Sequence, residues 1–284
     1  MNRLGIIAGG GELPHIAMNE ALRSGEDPLF LSVKESEFHP GDFSDRNIPV
    51  YITQIGGLIK TCRKNGIDRL LLLGKVNKDI ILKSYKFDLK AVILMAKMLN
   101  KNDYTFFEIA AREFDRNGIT IISQKTYLKS LFLPPGRYTK KKLGKSEIED
   151  IQYGKNLSSE LARLDIGQTV IVMDRMTLAL EAIEGTDKAI ERGGELSRGK
   201  GATVCKNSKA GQDERFDLPT VGLRTLESMK KHRYRTLAFR SENTLVVNPK
   251  ELIAAADREK IHIVSFSEYS SAEDLNHKKE HIGS

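Results

Sequence analysis

The chain has 284 residues, 40% hydrophobic and 29% charged, with 45 basic against 38 acidic side chains and a net charge of +7. That length suits two domains of ~100–200 residues each, and the composition is too apolar for a disordered chain. The apolar runs Leu70–Leu73 and Ala91–Ala96 fall far short of the ~20 residues of a membrane span. Cys62 and Cys205 make no disulfide or metal framework, and the six histidines show no zinc spacing. An integral membrane protein, a disulfide scaffold and an ordinary zinc site are thereby excluded. Leu4–Ala8 turns into glycines before a signal core can form, so a folded cytoplasmic protein is expected. The basic excess favours anionic partners. No aromatic stripe or nucleic-acid signature accompanies it, so nucleic acid is not an expected partner.

In chain order, Leu4–Ala8 reads as a strand and Leu13–Ser24 as a helix with one apolar face. Strands at Leu29–Val33, Pro49–Ile52, Arg69–Leu73 and Thr120–Ser123 alternate with helices at Gly56–Asn65, Leu89–Leu99 and Phe106–Asn117. Strands separated by such helices imply right-handed crossovers and a mostly parallel sheet. The first domain, residues 1–133, is therefore expected to be Rossmann-like α/β. Helix 89–99 carries Ala91, Val92, Leu94, Met95 and Met98 on a wide apolar face, which suits core packing better than a lipid trench.

Leu133-Pro134-Pro135-Gly136 and Lys140-Lys141-Lys142 break both periodicities and place a linker at 133–145. A second α/β domain, 145–270, opens with helix Ser146–Leu164, which bears the capping-box pattern Ser146-Glu147-Ile148-Glu149. Thr169–Met173 and Thr177–Ile183 suit a hairpin, followed by helix Gly185–Arg192 and strand Ala202–Lys206. Leu223–Lys231, Thr236–Phe239, Thr244–Val247, Lys250–Glu259 and Ile261–Val264 continue the alternation, and 271–284 is a polar tail.

Two kinds of loop carry chemistry. Gly9-Gly10-Gly11-Glu12-Leu13-Pro14 joins a strand to a helix, an arrangement that brings backbone N–H groups to an anion. It is not G-x-G-x-x-G, and Lys34 and Glu35 follow the second strand where a ribose-binding acid would close it, so a nicotinamide cofactor is disfavoured. In the second half, Glu181, Glu184 and Asp187 close a strand. Lys206–Thr220 then mixes acids and bases after another. Carboxylates for a hard cation beside Lys and Arg for phosphate oxygens are what a magnesium–phosphate site requires. Each acid also has a plainer reading, Asp187 as part of a helix cap and Asp217 as a turn former. If the segment is extended, Asp213, Arg215 and Asp217 share one face.

Five motifs occur in order: Ile7–Pro14, Gly74-Lys75-Val76, Leu164–Gln168, Glu181–Asp187 and Gly211–Gly222. In this order the sequence resembles the LpxI family, the UDP-2,3-diacylglucosamine pyrophosphatases of lipid A biosynthesis, from residue 3 to about 266. The resemblance implies a metal-dependent hydrolase in which water attacks the α-phosphorus and releases UMP and lipid X. It points to the segment 211–222, where Asp213 or Asp217 would be the catalytic acid that holds the metal or orients the water; Asp213, Asp217, Glu184 and Asp187 are the candidate holders of Mg2+ or another divalent cation. Lys206, Lys209 and Arg215 would clamp phosphate. Gly9, Gly10, Gly11, Leu13, Pro14, Lys75, Thr186, Gln212 and Thr220 would complete substrate binding. Ala210 stands where the family usually has proline. A lipid-linked nucleotide sugar as substrate, the cytoplasmic face of the inner membrane as a peripheral surface and a homodimer are the expected partners. The alternative is a non-catalytic two-lobe binding protein for a nucleotide sugar or phosphorylated ligand.

Overall fold

The computed structural model describes residues 3–76, 87–99, 106–164, 166–208, 213–216 and 218–279. The chain divides into two units, Met1–Leu128 with Asp213–Asp217, and Lys129–Gln212 with Leu218–Ser284. It is a two-unit α/β protein, as its strand–helix alternation implies.

The first unit contains β1 (Arg3–Ala8), α1 (Leu13–Arg23), β2 (Leu29–Val33), β3 (Asn47–Val50), α2 (Ile55–Lys64) and β4 (Ile67–Leu73). It continues with α3 (Leu89–Leu99), α4 (Phe106–Asp115), β5 (Thr120–Ile121) and α5 (Lys125–Leu128). The strands form one parallel sheet in the order β3-β2-β1-β4-β5, so the winding reverses between β1 and β4. Helix α2 buries Ile55, Leu58, Ile59 and Cys62, one face at helical spacing. Burial pushes the Cys62 thiol up to about 12. Helix α3 divides its apolar residues: Ala91 and Leu94 enter the core, whereas Leu89, Val92, Ile93 and Met95 are exposed. The core reading of 89–99 thus holds for Ala91 and Leu94 but not for Val92 or Met95; the Met98 side chain lies outside the described residues.

The second unit runs β6 (Gly136–Arg137), α6 (Lys145–Arg163), β7 (Thr169–Met173), β8 (Met176–Leu180), α7 (Thr186–Ser197), β9 (Thr203–Lys206) and β10 (Thr220–Val221). Then follow α8 (Leu223–Lys231), β11 (Thr236–Arg240), β12 (Leu245–Val246), α9 (Pro249–Glu259), β13 (His262–Phe266) and α10 (Ala272–Asn276). Six strands lie in the order β6-β13-β11-β9-β7-β8. The central β13, β11 and β9 are parallel, and the flanking strands are antiparallel. Successive residues face opposite ways. Ile171, Val204, Leu237 and Ile263 pack with α7, α8 and α9; Val170, Cys205, Ala238 and Val264 pack with α6 and α10.

Three local expectations need correction. Residues 133–145 are not a free linker: Gly136–Arg137 pairs with β13, and Leu133, Tyr138 and Leu143 are buried in this unit's cores. Helix α6 is capped by Gly144 with no side-chain bond, so Ser146 falls inside the first turn and cannot form the capping box. The hairpin forms, but its second strand stops at Leu180, because 182–185 turn back through the bond from Gly185 N–H to the Ala182 carbonyl. Its tip places Asp174 and Arg175 at φ of 51° and 59°. Their N–H groups donate to the Asp150 carboxylate at 3.3 and 2.7 Å. Among the described residues no helix is long and apolar enough to cross a membrane.

Candidate functional site

The carboxyl ends of parallel strands are where α/β sheets place their chemistry. In the second unit that edge is polar and buried. Lys206 ends β9 only 5% exposed, and its Nζ donates to Thr186 Oγ1 and the Thr220 carbonyl, both at 3.2 Å. Thr186 Oγ1 donates in turn to Glu181 Oε1 at 3.0 Å and lies 3.4 Å from Thr169 Oγ1. Glu181 is 8% exposed, and its second oxygen is buried without a hydrogen-bond partner among the described residues. Beside Lys206, the buried Asn207 donates to Ser158 at 3.4 Å. Tertiary folding therefore gathers Thr186, Lys206 and the Thr220 carbonyl. The buried Lys206 is a fixed cation, the kind of group that stabilises developing phosphate charge without reorganising.

The corresponding edge of the first unit is built from backbone. Gly9 N–H donates to the Leu73 carbonyl at 2.8 Å. Gly10 and Lys75 exchange a pair of bonds at 2.9 and 2.8 Å. A Cβ at Gly74, where φ is +89°, would stand 2.4 Å from the Gly9 carbonyl oxygen. These glycines let the exits of β1 and β4 touch, and the N–H groups of Gly9 and Gly10 are consumed there. Gly11, at φ +104° with open space around it, leads into α1, whose first turn holds Leu13 and the helix-compatible Pro14 and lacks a side-chain cap. A cavity of about 380 Å³ adjoins Gly11, lined also by His15 and Phe38. The His15 ring packs on Phe30 and Phe38 at centroid distances of 5.4 and 5.0 Å. Both carboxylate oxygens of Glu35, just past β2, are buried without partners among the described residues.

The acids do not gather as expected. Residues 213–216 form a turn closed by Phe216 N–H on the Asp213 carbonyl at 3.1 Å, so the extended polar row does not exist there. The turn belongs to the first unit: Phe216 packs on its core, and Glu214 pairs with Lys125 at 2.6 Å and accepts from Ser123 at 3.1 Å. Asp213 accepts from Arg215 Nε and Nη2 at 2.9 and 2.7 Å, and that guanidinium holds its carboxyl below the usual range. Arg215 also stacks 5.0 Å from the Phe216 ring. Glu184 faces Arg192 at 2.9 Å and Asp187 faces Arg224 at 3.1 Å. Asp217, Lys209 and Gln212 lie outside the described residues. Among those described, no three His, Cys, Asp or Glu side chains stand close enough to hold a metal ion.

Residues 3–131 match the LpxI N-terminal domain and residues 134–264 the LpxI C-terminal domain. The chain belongs to the LpxI family. It is 28% identical over 272 residues to UDP-2,3-diacylglucosamine pyrophosphatase LpxI of Caulobacter vibrioides, covering 90% of this chain and 95% of that relative. Against the family background, Thr169, Asn207 and His15 are polar residues at these edges that sequence reasoning missed. Thr169 opens a strand of β-branched residues and gives no local signal. His15 sits one helical turn from Gly11, a spacing that could have raised it.

Proposed function

We propose that the protein hydrolyses the pyrophosphate of UDP-2,3-diacylglucosamine to UMP and 2,3-diacylglucosamine 1-phosphate. The observation that carries this reading is the match of both halves to the LpxI domains, together with a relative named for that activity over nearly the full chain. In the proposed reaction, water oxygen bonds to the α-phosphorus and the bond from that phosphorus to the bridging oxygen breaks. The bridging oxygen leaves with the β-phosphate as lipid X. Lys206, held by Thr186 and the Thr220 carbonyl, would take charge developing on non-bridging oxygens. Asp217 is our choice for the group that takes the water proton, because the carboxylate of Asp213 is already engaged by Arg215.

The described acids do not fit a metal cage: Glu184, Asp187 and Asp213 each face an arginine. Magnesium binds through as few as one or two carboxylates plus substrate phosphates, so metal dependence stays part of the proposal while no step is routed through it. Work on a lipid substrate at the cytoplasmic face of the inner membrane completes the reading. The test incubates the full-length protein with UDP-2,3-diacylglucosamine in ¹⁸O-water, with magnesium or with EDTA. UMP carrying the label supports attack at the α-phosphorus, and label in lipid X overturns that assignment. No UMP at all would leave a binding protein, and full activity in EDTA after dialysis would remove the metal.

A further inference from the structure

The amino ends of the parallel strands in the second unit lie at the opposite edge of the sheet from Lys206, and there the protein carries a second concavity. It measures about 650 Å³ and runs along α9 to the first residue of β13. Five of its lining side chains are cationic: Lys140, Lys141, Lys250, Arg258 and Lys260. All five are exposed, and none is paired with a carboxylate among the described residues. The single acid in the lining, Asp257, is occupied in part by the Lys140 backbone N–H at 2.8 Å.

Local structure explains only some of this charge. Arg258 and Lys260 sit at the C-terminal end of α9, where cations offset the helix dipole. Lys250 sits in its first turn, where the same dipole disfavours a cation. Lys140 and Lys141 come from a separate segment, and nothing in α9 requires them. The floor is apolar where Ile253 and Ile261 line it. At its inner end lies His262, 2% exposed, with Nδ1 lacking a hydrogen-bond partner among the described residues. Like charges converging on one hollow repel each other, which an anion would relieve.

We infer that this cavity is a second ligand site, specific for a phosphate-bearing anion and separate from the Lys206 edge. Two sources carry that chemistry, a soluble phosphate ester and the phosphodiester headgroup of an anionic lipid. The inference does not rest on the proposed hydrolysis, because binding is read without turnover.

The test uses the full-length protein with four probes: inorganic phosphate, glycerol 3-phosphate, vesicles of phosphatidylcholine, and vesicles with about one-third phosphatidylglycerol. Calorimetry reads the soluble probes and sedimentation reads the vesicles, at ~0.15 M salt, where charges act within about 8 Å. The expected result is binding to at least one anionic probe, weakened at least ~10-fold in Lys250→Gln/Arg258→Gln, since each surface cation contributes appreciably to such binding. Lys140→Gln/Lys141→Gln, on a different segment, should weaken it similarly if the first pair fails to fold. Lys142→Gln, outside the lining, should leave it unchanged. Binding to phosphate or glycerol 3-phosphate identifies a soluble ligand; binding to anionic vesicles alone identifies the headgroup. No binding to any anionic probe, or binding that the cavity variants leave intact, overturns the inference.

Discussion

The first unit meets its sheet edge with glycines and the second with charged and hydroxyl side chains. At the β1 and β4 exits, backbone bonds such as Gly10 to Lys75 close the gap, and Gly9 and Gly74 are required because any Cβ would collide with backbone. At the β9 exit the Asn207 N–H bonds the Gln168 carbonyl at 2.8 Å, and the side chains of Lys206, Thr186 and Glu181 join beside it. The same position in two α/β sheets is thus used once for close approach and once for a buried polar network. Substitutions should accordingly damage folding at the first edge and turnover at the second.

Gly74→Ala should have the largest effect. Backbone overlap and a left-handed φ together should cost about 4 kcal/mol, a large share of a domain's stability. Urea unfolding reads it, and a loss under ~1 kcal/mol would show that the edge is not closed by backbone contact. Lys206→Met should come next, lowering kcat by ~100- to 1,000-fold with the circular-dichroism spectrum retained. A kcat per folded molecule near that of the parent would make Lys206 structural and erase the contrast between the edges.

Asp217→Ala should cut turnover ~100-fold, and Asp213→Ala less, because the Asp213 carboxylate already serves Arg215. Equal losses would show that the Asp213–Arg215 pair acts as one device. Gly11→Ala sharpens the first edge: its φ is +104° but no atom lies within 4 Å of the added Cβ, so only about 1 kcal/mol should be lost. A collapse as severe as that of Gly74→Ala would mean that φ alone governs this loop.

The smallest effect concerns His262, at the amino edge of the second sheet. Burial first, and the nearby Lys141 and Arg137, hold its pKa below the ordinary 6.5, while Glu147 and a backbone bond at Lys141 oppose them. The unfolded chain then takes up the proton before the native state does. This contribution to stability is complete above pH 6.5 and declines as pH falls from there toward the folded pKa. Melting curves of the parent and His262→Gln from pH 7.5 to 5 should converge on acidification; parallel curves would assign the pH dependence elsewhere.

Much of the molecule was legible because local patterns repeat what the fold needs. Apolar runs such as Leu29–Val33 are buried along their whole length in the parallel sheet, and helix 55–64 shows its core face at helical spacing. Lys206 stood out as a cation at the end of an apolar strand, whereas Thr186 and Thr220 entered only through the family resemblance. The capping box at Ser146 misled because Gly144 opens that helix without a side chain, a choice set by packing rather than by the local pattern.

By itself the sequence determined the α/β alternation, the glycine loop and the family resemblance. Only the tertiary structure decided which groups meet. It gave the 213–216 turn to the first unit through Phe216 and Glu214, paired Glu184, Asp187 and Asp213 each with an arginine, and converged five cations on one hollow. The physical reason is that periodicity specifies which face of an element is buried, whereas partners across a fold depend on how separate elements pack, and short polar loops carry no period to read.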